Sequence, residues 1–79
     1  MYLVVSIPQT NESMKIDEQV VEFMEARGFS SFGVSLGTIS RDHEFENNLQ
    51  LDDESLDIME SDLRQLINEQ DLRLFVESE

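Results

Sequence analysis

Two kinds of apolar periodicity run along the chain. Over residues 2–7, Leu3, Val5 and Ile7 alternate with Tyr2, Val4 and Ser6, and Pro8 follows, which is the pattern of a strand with one face in a core. Past a polar stretch, Ile16, Val20, Phe23 and Met24 recur at helical spacing. Asp17 is placed to cap that helix, with Ile16 and Val21 closing a hydrophobic staple, and Gly28 is placed to end it in a left-handed turn. Phe32, Val34 and Leu36 then alternate with Gly33, Ser35 and Gly37, and Phe45, Asn47, Leu49 and Leu51 alternate with Glu44, Glu46, Asn48 and Gln50. These patterns predict two strands joined near residues 40–42. Asp52 or Asp53 caps a second helix whose Leu56, Met59, Leu63, Leu66 and Ile67 form one stripe ending near Gln70. Leu72, Leu74 and Val76, alternating with Arg73, Phe75 and Glu77, predict a last short strand.

The order strand, helix, strand, strand, helix, strand over residues 1–79 predicts a single α+β domain with the ferredoxin-like βαββαβ arrangement, a four-stranded antiparallel sheet with both helices on one face. On its own this architecture leaves function open, because many unrelated activities share it. Composition narrows the choice. Eighteen Asp and Glu against five Lys and Arg give a formal charge of −13, which excludes a protein that binds nucleic acid through basic residues. Absence of Cys excludes a disulfide framework, a thiolate nucleophile and thiolate-bound zinc. The apolar run at the N-terminus has no basic residues before it, and no stretch approaches the roughly 18 apolar residues of a membrane span, so a cytoplasmic protein away from membranes is expected.

No motif for catalysis or for a cofactor is present. His43, the one imidazole, lies between Asp42 and Glu44 and is expected in solvent at a turn, away from any nucleophile. The carboxylates fall on outward positions of amphipathic elements, where nothing desolvates them for acid–base work. Asp52, Asp53, Glu54 and Asp57 lack the turn glycine of a calcium-binding loop, and capping of a helix accounts for the first two. Gly33 and Gly37 lie within a strand pattern and do not form a phosphate cradle between strand and helix. The expectation is therefore a protein without enzymatic activity, cofactor or metal.

Charge is unevenly placed. Residues 1–40 set Lys15 and Arg27 against five acids, a balance of −3, whereas residues 41–79 set Arg41, Arg64 and Arg73 against thirteen, a balance of −10. From Asp53 to Asp62 a helix rises about 15 Å and carries five acids, roughly one per 3 Å, against one phosphate per about 3.4 Å of a DNA strand. Glu18 with Glu22 and Asp53 with Asp57 stand four apart, so the charge opposes folding, and only Glu60 with Arg64 makes a favourable pair.

In size and charge the chain resembles the nucleic-acid mimics with which viruses and mobile elements block restriction enzymes and CRISPR effectors. Such mimics share no common fold and lend no residue roles; from where the charge lies in this chain, the expectation is an inhibitor in which Glu44, Glu46, Asp52, Asp53, Glu54, Asp57 and Glu60 stand in for phosphates against a basic, nucleic-acid-handling host protein, with Ile58 as an apolar anchor. An alternative is a regulatory or adaptor module that forms a homodimer through the open sheet face, using Tyr2, Val4 and Phe75. On that face Ser6, Ser35, Glu44, Glu46, Arg73 and Glu77 are also expected, and their acids disfavour nucleic acid as a direct ligand.

Overall fold

The structure, a computed structural model, describes residues 2–9, 13–37, 39–47 and 51–77. Strand β1 (Tyr2–Pro8), helix α1 (Ser13–Glu25), strands β2 (Ser30–Leu36) and β3 (Ser40–Glu46), helix α2 (Asp53–Ile67) and strand β4 (Arg73–Val76) follow one another. The strands form one antiparallel sheet in the order β2-β3-β1-β4, which is the ferredoxin-like arrangement. Leu3 lies opposite Phe45 and Val5 opposite both His43 and Leu74. Leu3, Val5, Phe45 and Leu74 form one buried cluster with Val20 and Met24 of α1 and with Met59 and Leu63 of α2. Both helices therefore cover the face that bears Leu3, Val5 and Ile7. Phe29 and Leu72, just outside β2 and β4, close the cluster at its margins.

Helix α2 is capped as its sequence implies. Asp52 has an extended backbone, and its carboxylate accepts the Ser55 amide at 2.9 Å. At the other end Asn68 takes the left-handed conformation at φ 55°, and its amide donates to the Arg64 carbonyl. Gly28 does the same for α1 at φ 87°, and a side chain there would also meet the Asn47 amide nitrogen at 3.3 Å.

Four expectations are corrected. Helix α1 begins at Ser13, so Asp17 lies inside it and not at its N-cap. Strand β2 ends at Leu36 and β3 begins at Ser40, with the Gly37 amide donating to the Ser40 carbonyl at 2.8 Å, so residues 40–42 already belong to β3. Strand β3 ends at Glu46, Asn47 follows it outside the strand, and Asn48, Leu49 and Gln50 lie outside the described residues, as does the side chain of Leu36. Finally, the β2–β3 register shifts between Ser31 and Gly33, a bulge that breaks the two-residue alternation. Phe32, expected beside Val34 in the core, is half exposed and meets Tyr2 edge-on at 5.7 Å between ring centroids. Toward the ends of the stripes, Leu66 and Val76 are likewise about half exposed.

Hydrogen bonds from Ser55, its side chain first and its amide second, hold the Asp52 carboxyl below the usual carboxylate range. A depressed carboxylate stabilises the fold above its unfolded pKa and loses that contribution as pH falls through the folded value. Asp52→Ala is expected to lower the melting temperature at pH 7, with the difference from wild type vanishing in acid below the lowered pKa. A difference that persists unchanged to low pH would refute a role for the charged cap.

Candidate functional site

Burial of Leu56, Met59, Leu63 and Ile67 against the sheet turns the other side of α2 to solvent, exposing Asp53, Glu54, Asp57, Ile58 and Asp62. In α1 the inward set Ile16, Val20, Phe23 and Met24 turns Glu18, Glu22 and Glu25 outward in the same way. The two helices touch each other on one face of the sheet, so their outer carboxylates make one acidic layer. The three α1 acids are legible in the helical pattern, yet charge counted along the sequence placed the site in the second half alone.

Glu44 and Glu46 do not join that layer. They alternate along β3 with Phe45, which is fully buried beneath the helices, so they occupy the opposite, open face of the sheet. Glu60 is also differently employed. One of its oxygens pairs with Arg64 at 2.9 Å and the other accepts the Leu74 amide at 2.8 Å, while Arg64 donates to the Leu72 carbonyl at 2.9 Å. Together they bolt α2 to β4. Asp52 is exposed at the start of α2 and serves as its cap. Of the acids named from sequence, Asp53, Glu54 and Asp57 are thus brought together in the open.

Little offsets them. Among the described residues the ion pairs between acids and arginines join Asp17 to Arg41 and Glu60 to Arg64, His43 adds a hydrogen-bond contact to Asp17, and none of these includes an outer acid of the helical layer. Arg27 lies over the Phe23 ring, 3.5 Å from its centroid, and donates to the Phe23 carbonyl at 3.0 Å. Ile58, 54% exposed, lines an open groove of about 290 Å³ with Arg27, Phe29, Leu51, Ser55 and Met59. This places an apolar recess at the edge of the acidic layer.

The open sheet face combines rings with acids. Phe32 and Phe75 are about half exposed and Tyr2 is partly covered, whereas Val4 is only 5% exposed between its cross-strand neighbours Glu44 and Phe75. Asp42 lies between Ser6 and Ser35, and its buried Oδ1 has no hydrogen-bond partner. The sequence pattern gave Tyr2, Val4 and Phe75 this position correctly and missed Phe32, because a bulge leaves no periodic trace.

His43 is not at a solvated turn. It sits within β3, 3% exposed, its Nε2 2.7 Å from Asp17 Oδ1 and its ring stacked along Phe45. Arg41 donates to the same carboxylate through Nε at 3.2 Å and through Nη2. Asp17 therefore ties α1 to two residues of β3, and this tertiary partnership explains why it serves inside the helix. Among the described residues no group of three or more His, Asp or Glu is arranged to hold a metal ion.

Asp17→Asn removes the charge that Arg41 pairs with and turns one of the two acceptor oxygens into an NH2 donor, so Arg41 and His43 are left to share a single neutral acceptor in a largely buried place, and the protein should lose about 1.5–3 kcal/mol in urea unfolding. A loss within experimental error would contradict this role. No family model matches the chain, and no curated protein or solved structure matches it either.

Proposed function

We propose that the chain is a non-enzymatic acidic interaction protein that covers the basic nucleic-acid-binding surface of a host protein, in the manner of the anti-restriction and anti-CRISPR inhibitors of viruses and mobile elements. It would act in the cytoplasm of the host cell. The observation that carries this reading is the outer surface of the helical layer, where Asp53, Glu54, Asp57 and Asp62 of α2 stand beside Glu18, Glu22 and Glu25 of α1 without a paired cation among the described residues. Four free acids over about 15 Å of α2 give one charge per roughly 4 Å, close to the spacing of phosphates along one DNA strand.

Such a surface repels nucleic acid and attracts the Lys and Arg that bind it, which favours a protein partner over a direct nucleic-acid ligand. Among the described residues no helix is long and apolar enough to cross a membrane. The bolt formed by Glu60 and Arg64 supports the rigidity that a mimic needs, since it fixes α2 on the sheet without consuming the outer acids. A second reading, a homodimer through the open sheet face, draws on the exposed rings of Phe32 and Phe75. Against it, Glu44 and Glu46 on that face would oppose their own copies, and Val4 is too buried to contribute contact.

The test is capture of partners from host lysate by the tagged chain at low and at high salt, with competing DNA or RNA. A basic nucleic-acid enzyme should be retained at low salt and displaced by the competitor. Neutralising Asp53, Glu54 and Asp57 together (Asp53→Asn, Glu54→Gln, Asp57→Asn) should weaken that binding about tenfold or more at low salt, with parent and variant converging at high salt. Equal binding by parent and variant at every salt concentration would overturn the proposal.

A further inference from the structure

The open face of the sheet is laid out in rows across its strands. At one end Tyr2 lies beside Glu46 of β3 and opposite Glu77, whose amide donates to the Tyr2 carbonyl at 3.0 Å and carries the β1–β4 ladder one pair further. In the next row Glu44 lies between Val4 and Gly33, and beyond it Asp42 lies between Ser6 and Ser35. Asp42, Glu44 and Glu46 thus form a file along β3 with a repeat of about 7 Å. Among the described residues none of the three is in an ion pair, and neither is Arg73, the cation opposite Ser6. Asp42 Oδ1 is buried with no donor.

Rings stand beside this file. β1 and β2 flank β3 on either side, so two strand spacings, about 10 Å, separate them. Tyr2 and Phe32 nevertheless approach to 5.7 Å between centroids at 77°, which means that the rings lean toward each other across β3. The bulge between Ser31 and Gly33 turns Phe32 to this side. It also sets a residue without a side chain next to Glu44: a Cβ at Gly33 would lie 3.5 Å from Glu44 Oε2. The Glu44 carboxylate is therefore turned toward β2, where Phe32 is half exposed, and the glycine there places no side chain over it.

We propose that the open sheet face docks an arginine of a protein partner, its guanidinium lying on the exposed ring of Phe32 and pairing with the carboxylate of Glu44. Chemistry selects this occupant. An exposed ring next to an unpaired carboxylate suits a group that is flat, cationic and rich in N–H donors. A Lys ammonium brings the charge without the plane or the fork of donors. An apolar partner would desolvate Glu44 without pairing it, and nucleic acid or a second copy of this acidic chain would add like charge. The file of carboxylates extends the fit: an extended segment laid along β3 repeats its side chains on one face at the same interval of about 7 Å, so arginines at alternate positions meet Glu46, Glu44 and Asp42 in turn. This surface lies on the other side of the sheet from the helical acids, and the proposal stands apart from the reading of that layer.

Calorimetric titration of the full chain with a blocked Arg-Ser-Arg-Ser-Arg peptide and with its Lys counterpart tests this, because the two probes differ in shape and not in charge. The Arg peptide should bind about threefold or more tightly than the Lys peptide, with amide NMR shifts moving at Phe32, Gly33 and Glu44. Phe32→Leu should remove that preference while leaving the affinity for the Lys peptide unchanged. Glu44→Gln, which relieves repulsion along β3 and so spares the fold, should weaken the Arg peptide about threefold or more. Circular dichroism confirms that each variant is folded. Neutralising Asp53, Glu54 and Asp57 together should leave the preference for Arg intact, which separates this face from the helical layer. Equal affinity for the two peptides, an Arg affinity unchanged in folded Glu44→Gln, or a preference lost with the helical acids would each overturn the proposal.

Discussion

One apolar cluster holds this protein against its own charge. Phe45 is fully buried among Leu3, Val5, Val20, Met24 and Leu63, and each such side chain contributes about 1.5–3 kcal/mol by leaving water. A domain of this size buries only about 60% of the surface that its unfolded chain exposes, so there is little reserve. Acids four apart on both helices subtract a few tenths of a kcal/mol per pair. The fold tolerates them because they point outward, where solvent and salt screen them.

Where polar groups enter the inner layer, they are paired. Asp17 meets Arg41 and His43 between α1 and β3, and Glu60 meets Arg64 and the Leu74 amide between α2 and β4. These links fix each helix to a strand and leave the outer carboxylates uncommitted. The result divides the surface into an acidic helical layer and an open sheet face that mixes rings with acids. A basic partner fits the first by charge. The second is suited to a guanidinium.

Much of the architecture was legible because β1 alternates cleanly and both helices keep their apolar stripes, with Gly28 and Asp52 marking ends. Strand β3 was misplaced for a specific reason: its inner positions include Arg41 and His43, so the alternation reads as polar until their partner Asp17 is known. The role of Asp17 escapes the local pattern of a cap because its partners lie 24 and 26 residues away. Phe32 was lost to the bulge. The division of the acids was within reach, because Glu44 and Glu46 alternate with a core phenylalanine and must face away from the helices. Counting charge along the chain obscured that geometry.

The outer carboxylates are carried at the expense of stability. Melting temperature as a function of salt, for the parent and for a variant that removes one acid from each helix (Glu22→Gln with Asp57→Asn), tests it most directly. At low salt the variant should melt about 2–6 °C higher, with the gap closing as salt is added. A variant that melts lower than the parent, or a gap that does not change with salt, would mean that these acids support the fold, and the account would be wrong.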